Sequence, residues 1–227
     1  MHPSILGAEV AALVLAWSST QAACPAPQAA VQEVFTAADC ALCWSAASLP
    51  PGAPGWRLDW ITPAATDAPL AAAALAEAAE RAARASAAPA VARRPTALRL
   101  QVAAGPAWNG YFGLQMTLQQ ARAGSLSAGQ SAGLPAGSSA WLALVEWLPA
   151  GTEGSPVARA LVRSVAGPLP LDGPAAGPAL RQPQPQPITH LRALRWPESA
   201  RPERLQARAW IESATGQILL MAADRCL

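Results

Sequence analysis

Hydrophobic and polar positions divide the chain into two textures. From Val31 to Trp44 it reads V-Q-E-V-F-T-A-A-D-C-A-L-C-W. The first half is short, β-branched and aromatic, which predicts a buried strand, and Trp44-Ser45-Ala46-Ala47 can begin a helix. Leu49-Pro50-Pro51-Gly52 stops that helix, because two prolines cannot continue it. Trp56 to Ile61 alternates large and polar residues and predicts a second strand. Thr66 or Asp67 can cap the next element, with Pro69 in its first turn. Leu70 to Ala85, almost all Ala, Leu, Glu and Arg, predicts a helix. Glu77 and Glu80 precede Arg81 and Arg84 by four residues each and read as helix-surface pairs. Strand, helix, strand, helix is most of a βαβα unit with parallel pairing.

From Leu98 onward the pattern changes to short runs separated by Gly, Pro and Ser. Leu98–Val102, Tyr111–Leu118, Ser139–Leu148, Val157–Val165, Ile188–Trp196, Leu205–Ser213 and Gln217–Ala222 predict seven strands of an antiparallel sandwich or barrel. The last two form a hairpin closed at Thr215-Gly216. Asp172 to Pro187, rich in Pro, Gly and Gln, reads as a surface loop. Trp141, Trp147, Trp196 and Trp210 fall in strand-like runs and are expected in packing, whereas Trp108-Asn109-Gly110-Tyr111 suits either a tight turn or an exposed binding rim.

Composition narrows the function classes. The chain of 227 residues can bury a real apolar core. Its net charge is +2, with the sixteen basic residues scattered, so it lacks the electrostatic footprint of a nucleic-acid binder. All sixteen are Arg. Without Lys, Schiff-base chemistry and P-loops are excluded. Ile5 to Trp17 is an apolar run followed by Ser18 to Ala23, small residues suited to signal peptidase. Residues 1–23 therefore read as a signal peptide and the mature protein as periplasmic or secreted. The run is too short for a stable bilayer anchor, and no later segment approaches the length of a transmembrane span. Cys24 stands at the cleavage point, where lipoprotein anchoring is the less favoured alternative because Gln21 is a poor residue three places before it.

In an oxidising compartment the four cysteines, Cys24, Cys40, Cys43 and Cys226, allow three pairings. If Cys40 pairs with Cys43, Cys24 is left for Cys226 as a structural disulfide. That bridge would close a loop of about 200 residues, worth up to roughly 5 kcal/mol by loop-closure entropy. A strand feeding C-x-x-C at a helix start is the thioredoxin-like redox arrangement. The expected fold is accordingly α/β plus β, with a thioredoxin-like βαβα domain over 24–97 and a β-rich, sandwich-like domain over 98–227. Cys40 would be the nucleophile, favoured by the helix dipole, and Cys43 the resolving thiol. Asp39 opposes thiolate formation there. Glu33 or Asp59 can handle protons if buried near Cys43, and Pro89 is the candidate for the cis-proline that packs against such a pair. The competing reading is a static disulfide.

The partners implied are protein or small-molecule thiols and disulfides, and no cofactor is called for. Two cysteines alone would favour a soft ion such as Cu(I), but there is no second ligand pair for a zinc site, and His190 reads as a surface or packing residue, so no metal is assigned. Gly129-Gln130-Ser131-Ala132-Gly133 matches G-x-S-x-G, with Asp172 and His190 in hydrolase order. It lacks the flanking strand and helix which that motif requires.

Taken together, these residues resemble the domain-of-unknown-function 1223 family of secreted bacterial proteins, regarded as thioredoxin-like. The family's V-E-L-F-T-S strand and G-C-x-x-C-P are similar to Val31 to Trp44. Asp59-Trp60 resembles its aspartate and aromatic pair, and Gly151-Thr152-Glu153-Gly154 with Val162-Arg163 resembles its G-E-N-x-G and V-V-R segment. The ending from Ala209 to Leu220, with Cys226, is similar to its final hairpin and terminal cysteine. Asp39 stands where the family has glycine and Trp44 where it has proline. The resemblance implies a thioredoxin-like fold and an exported compartment more than an activity.

Overall fold

The computed structural model describes residues 31–46, 56–87, 95, 97–120, 133–171 and 187–225. In chain order they form β1 (Gln32–Ala37), α1 (Ala41–Trp44), β2 (Arg57–Thr62), α2 (Ala76–Ala87), β3 (Leu98–Trp108), β4 (Tyr111–Gln120), β5 (Ser139–Leu148), β6 (Arg159–Leu169), β7 (Ile188–Arg195), β8 (Leu205–Glu212) and β9 (Ile218–Ala223). All seven runs expected after residue 97 are strands. Their local alternation and Gly/Pro punctuation carry that information.

Six strands make a curled mixed sheet in the order β1-β2-β6-β5-β8-β9, and β3-β4-β7 make a second sheet. β1, β2 and β6 run parallel, and the remaining pairs are antiparallel. Because side chains alternate across a strand, β5 sends Leu142 and Leu144 to one face and Trp141, Ala143 and Val145 to the other. The first face packs on Phe112, Leu114, Met116 and Leu118 of β4, with Ala207, Ala209 and Ile211 of β8. The second is covered by α2, whose Ala78 lies among Leu58, Trp60, Val162 and Trp210. There Trp210 meets Trp60 edge-on at 6.2 Å and stacks on Trp141 at 5.9 Å, geometries that indole rings favour.

The expected thioredoxin-like βαβα unit is not formed, and the protein is mostly β. β2 is buried along nearly its whole length and therefore needs a neighbour on each side. One is β1. The other is β6, a strand about 100 residues later, through Asp59 opposite Leu161. β1, which leads into the cysteine turn, has only β2 beside it. The sheet thus draws strands from both sides of residue 97, and the chain after α2 enters the second sheet as β3.

The helix expected from Leu70 starts at Ala76 instead. Leu70 N–H donates to Ala38 O at 3.0 Å and Leu75 N–H to Ile61 O at 3.1 Å, so the first turn is spent on docking to β1 and β2. Arg81 is no surface residue either. It is 2 % exposed and is held by Glu33 of β1 and Glu212 of β8. Among the described residues the cis peptide is Gly167–Pro168, in β6. Residues 1–30, Cys24, Pro89, Gly129 to Ala132, the 172–186 segment and Cys226 lie outside the described residues, so the expectations placed on them have no structural counterpart here. Among the described residues no helix is long and apolar enough to cross a membrane.

Candidate functional site

β1 ends at Ala37, where Ala38 N–H bonds Thr62 O at 3.0 Å and Cys40 N–H turns back to Ala37 O at 2.9 Å. The chain then enters the four-residue α1, and Cys40 and Cys43 are joined by a disulfide. The Cys43 N–H donates to Cys40 Sγ at 3.2 Å. One turn is too short to build the macrodipole expected to favour a Cys40 thiolate, so this single N–H is the local support for charge on that sulfur. Cys43 is exposed and Cys40 half-buried. Leu42, between them, is 85 % exposed, and Asp39 faces solvent.

The turn is fixed from behind by Trp44, which is 4 % exposed and packs with Ala38, Ile61, Leu148 and Leu161. Its indole N–H donates to Glu153 O at 2.7 Å. Its carbonyl accepts from Arg159 Nη2 at 2.6 Å, and the Arg159 guanidinium lies 4.2 Å from the ring centroid, a cation–π arrangement. Arg159, fully buried at the start of β6, also donates to Ser155 Oγ at 2.8 Å and pairs with Asp59 at 3.2 Å. The second Asp59 oxygen accepts the Ala160 N–H at 2.7 Å. Burial pushes the Asp59 carboxyl up, while that N–H and the Arg159 and Arg57 charges pull it back.

The loop over Trp44 is set by three left-handed residues, Gly151 at φ 80°, Glu153 at 49° and Gly154 at 73°. Arg163 braces it, joining Glu146 at 2.7 Å to Glu153 at 3.2 Å. Asp59, through Arg159, and Glu153, braced by Arg163, therefore converge on Trp44 from distant parts of the chain.

No protein-family profile, curated protein or solved structure matches this chain. Of the residues singled out in the sequence, Cys40 and Cys43 are bonded to each other, and Asp59 sits behind them, connected through Arg159 to the Trp44 carbonyl. Glu33 lies on the other face of β1, where it bonds Arg81 and the Trp60 indole N–H at 3.1 Å. His190 bonds Pro170 O at 2.7 Å. Sequence reasoning missed Trp44, Arg159 and Ser155 as a group. The available signal was an arginine inside the apolar run Val157 to Val165, where an unpaired buried charge would be costly and a carboxylate partner is implied.

Proposed function

We propose that this is an exported protein that carries out thiol–disulfide exchange on protein or small-molecule thiols through Cys40 and Cys43. The observation that carries the reading is a disulfide on an exposed turn whose base is clamped by buried groups. Closing four residues removes little unfolded-state entropy, about 2 kcal/mol by the loop-closure relation, so opening this bridge puts little stability at risk. Export is supported by the apolar Ile5 to Trp17 run and the small residues after it. Membership of a diverged branch of the domain-of-unknown-function 1223 family belongs to the same proposal. Its support is the C-x-x-C and the convergence of Asp59, Glu153 and Arg163 around Trp44.

An incoming thiolate attacks Cys43 Sγ, on the more exposed residue, forming a mixed disulfide as the Cys40–Cys43 bond breaks. Cys40 Sγ leaves with the electron pair, and the Cys43 N–H at 3.2 Å stabilises its negative charge. A second thiolate of the partner then attacks its own sulfur in the mixed disulfide and releases Cys43, so the partner leaves oxidised and the protein as a dithiol. Geometry thus favours Cys43 as the sulfur attacked, the reverse of the order expected from position alone. The second reading, a non-enzymatic periplasmic binding or scaffold module with a structural disulfide, draws on the burial of Trp44 directly after the pair.

The reduction potential separates them. Exchange calls for a value above roughly −300 mV, at which a glutathione or dithiol buffer turns the pair over. Cys40→Ser should trap a mixed disulfide on Cys43 and keep a cooperative thermal transition. A potential well below that limit, or loss of the transition in Cys40→Ser, would establish the structural reading instead.

A further inference from the structure

The redox reading makes no use of the outer face of the β3-β4-β7 sheet, the side turned away from the six-stranded sheet. The β3–β4 connection has Asn109 and Gly110 at φ 47° and 81°, the two left-handed residues of a type I′ turn. That turn sets Trp108 directly opposite Tyr111, and Tyr111 opposes Arg195 of β7. The three form one row across the sheet, with neighbouring side chains about 5 Å apart. Trp108 is 82 % exposed, and Tyr111, the sole tyrosine of the chain, is 44 % exposed. On the opposite side of the same strands Phe112 packs on Trp196 at 5.0 Å, so the turn has turned its other two aromatic rings outward from an existing core.

The next row is bare. Gly113 pairs with Ala193, and a Cβ at Gly113 would meet nothing within 4 Å. Beyond it Gln115 pairs with Leu191, which puts an amide about 13 Å along the strand from the aromatic row. The face is therefore shallow between its two ends, with rings and a guanidinium at one end and the Gln115 amide beside the exposed Leu191 at the other. Charge adds a second observation. On this face the three strands carry Arg99 and Arg195, and the strands contain not one Asp or Glu; Arg192, opposite the buried Leu114, lies on the other side.

We propose that this face binds an anionic, uronic-acid type glycan. A pyranose ring needs a floor rather than a pocket, and its C–H face suits the electronegative faces of Trp108 and Tyr111. Its carboxylate suits the planar fork of Arg195, and its hydroxyls the Gln115 amide. The absence of acidic groups on the three strands fits a negatively charged chain.

The full-length protein is run by affinity electrophoresis in gels containing polygalacturonate, neutral dextran or poly-L-glutamate. Retardation by polygalacturonate, with dextran without effect, is expected, and Trp108→Ala and Arg195→Gln should each weaken it at least tenfold while leaving the thermal transition unchanged. Three results would overturn the proposal: no retardation by polygalacturonate; retardation that both variants retain; or equal, equally variant-sensitive retardation by poly-L-glutamate, which would mark an acidic-protein surface.

Discussion

Asp224 shows how a single buried carboxyl can make stability depend on pH. It is 8 % exposed at the end of β9, where Oδ1 accepts the Ala207 N–H at 3.0 Å. Its other oxygen is 3.7 Å from Arg225 Nε, and Arg225 is largely solvated. Burial is the largest influence and raises this carboxyl above 3.8, against smaller pulls from Arg225, the Ala207 N–H and Arg208. A carboxyl raised on folding contributes stability that is complete below its unfolded value and is lost as pH rises through its folded value. Asp224→Asn keeps the acceptor for Ala207 but does not ionise. Its stability relative to the parent should therefore climb as pH rises from 3.8 through that window, as read by urea unfolding at successive pH values; a difference that stays flat would show that the carboxyl is not destabilised by burial. At this scale the cysteine pair was legible as one of three possible pairings, because C-x-x-C spacing puts Cys40 and Cys43 within one turn of each other. The clamp of Arg159 on Trp44 was not, since it joins residues 115 apart.

Among the elements, α2 depends most on one side chain. Burial opposes the charge of Arg81, but the hydrogen bond to Glu33 and the charges of Glu33 and Glu212 outweigh it and raise its pKa. Arg84 adds a bond to Glu212 at 3.0 Å and lies 5.1 Å over Trp141. The helix thereby ties the edge strand β1 to β8 across the sheet. Arg81→Met removes the cation and leaves two buried carboxylates without it, a class of change that costs about 3–5 kcal/mol. Chemical denaturation should show a loss of that size, and a loss under 1 kcal/mol would mean that solvent reaches the cluster. The β8–β9 turn is locked to the same helix: Gly216 has φ 82°, and a Cβ there would lie 2.7 Å from Arg84 O. The hairpin at Thr215-Gly216 and the strands after residue 97 were readable because turn chemistry and alternation are local. The helix start was not, because Ala-rich sequence favours a helix anywhere in Leu70 to Ala85 and the docking bonds to Ala38 and Ile61 decide where it begins.

At the scale of the whole molecule, the mixed sheet joins the segments on either side of residue 97. β2 supplies Asp59 to Arg159 of β6 and Trp60 to the cluster around Trp210, so the later strands lack part of their core without the earlier ones. A chain beginning at Leu98 should accordingly lose the cooperative thermal transition and bind a hydrophobic dye such as ANS, and an intact sharp transition would show that 98–227 is an independent domain. By itself the sequence determined the strand runs, the C-x-x-C turn after the first strand, and the turns at Asn109-Gly110 and Thr215-Gly216. Each of these follows from residues within a few positions of one another. That first strand, expected to be buried, is instead a half-buried sheet edge. Only the tertiary structure decided that β6 lies beside β2, that Arg81 and Arg159 are buried, and that Trp44 anchors the disulfide. Those outcomes depend on which distant strand satisfies a buried edge and which distant carboxylate meets a buried cation, and neither periodicity nor composition encodes the choice.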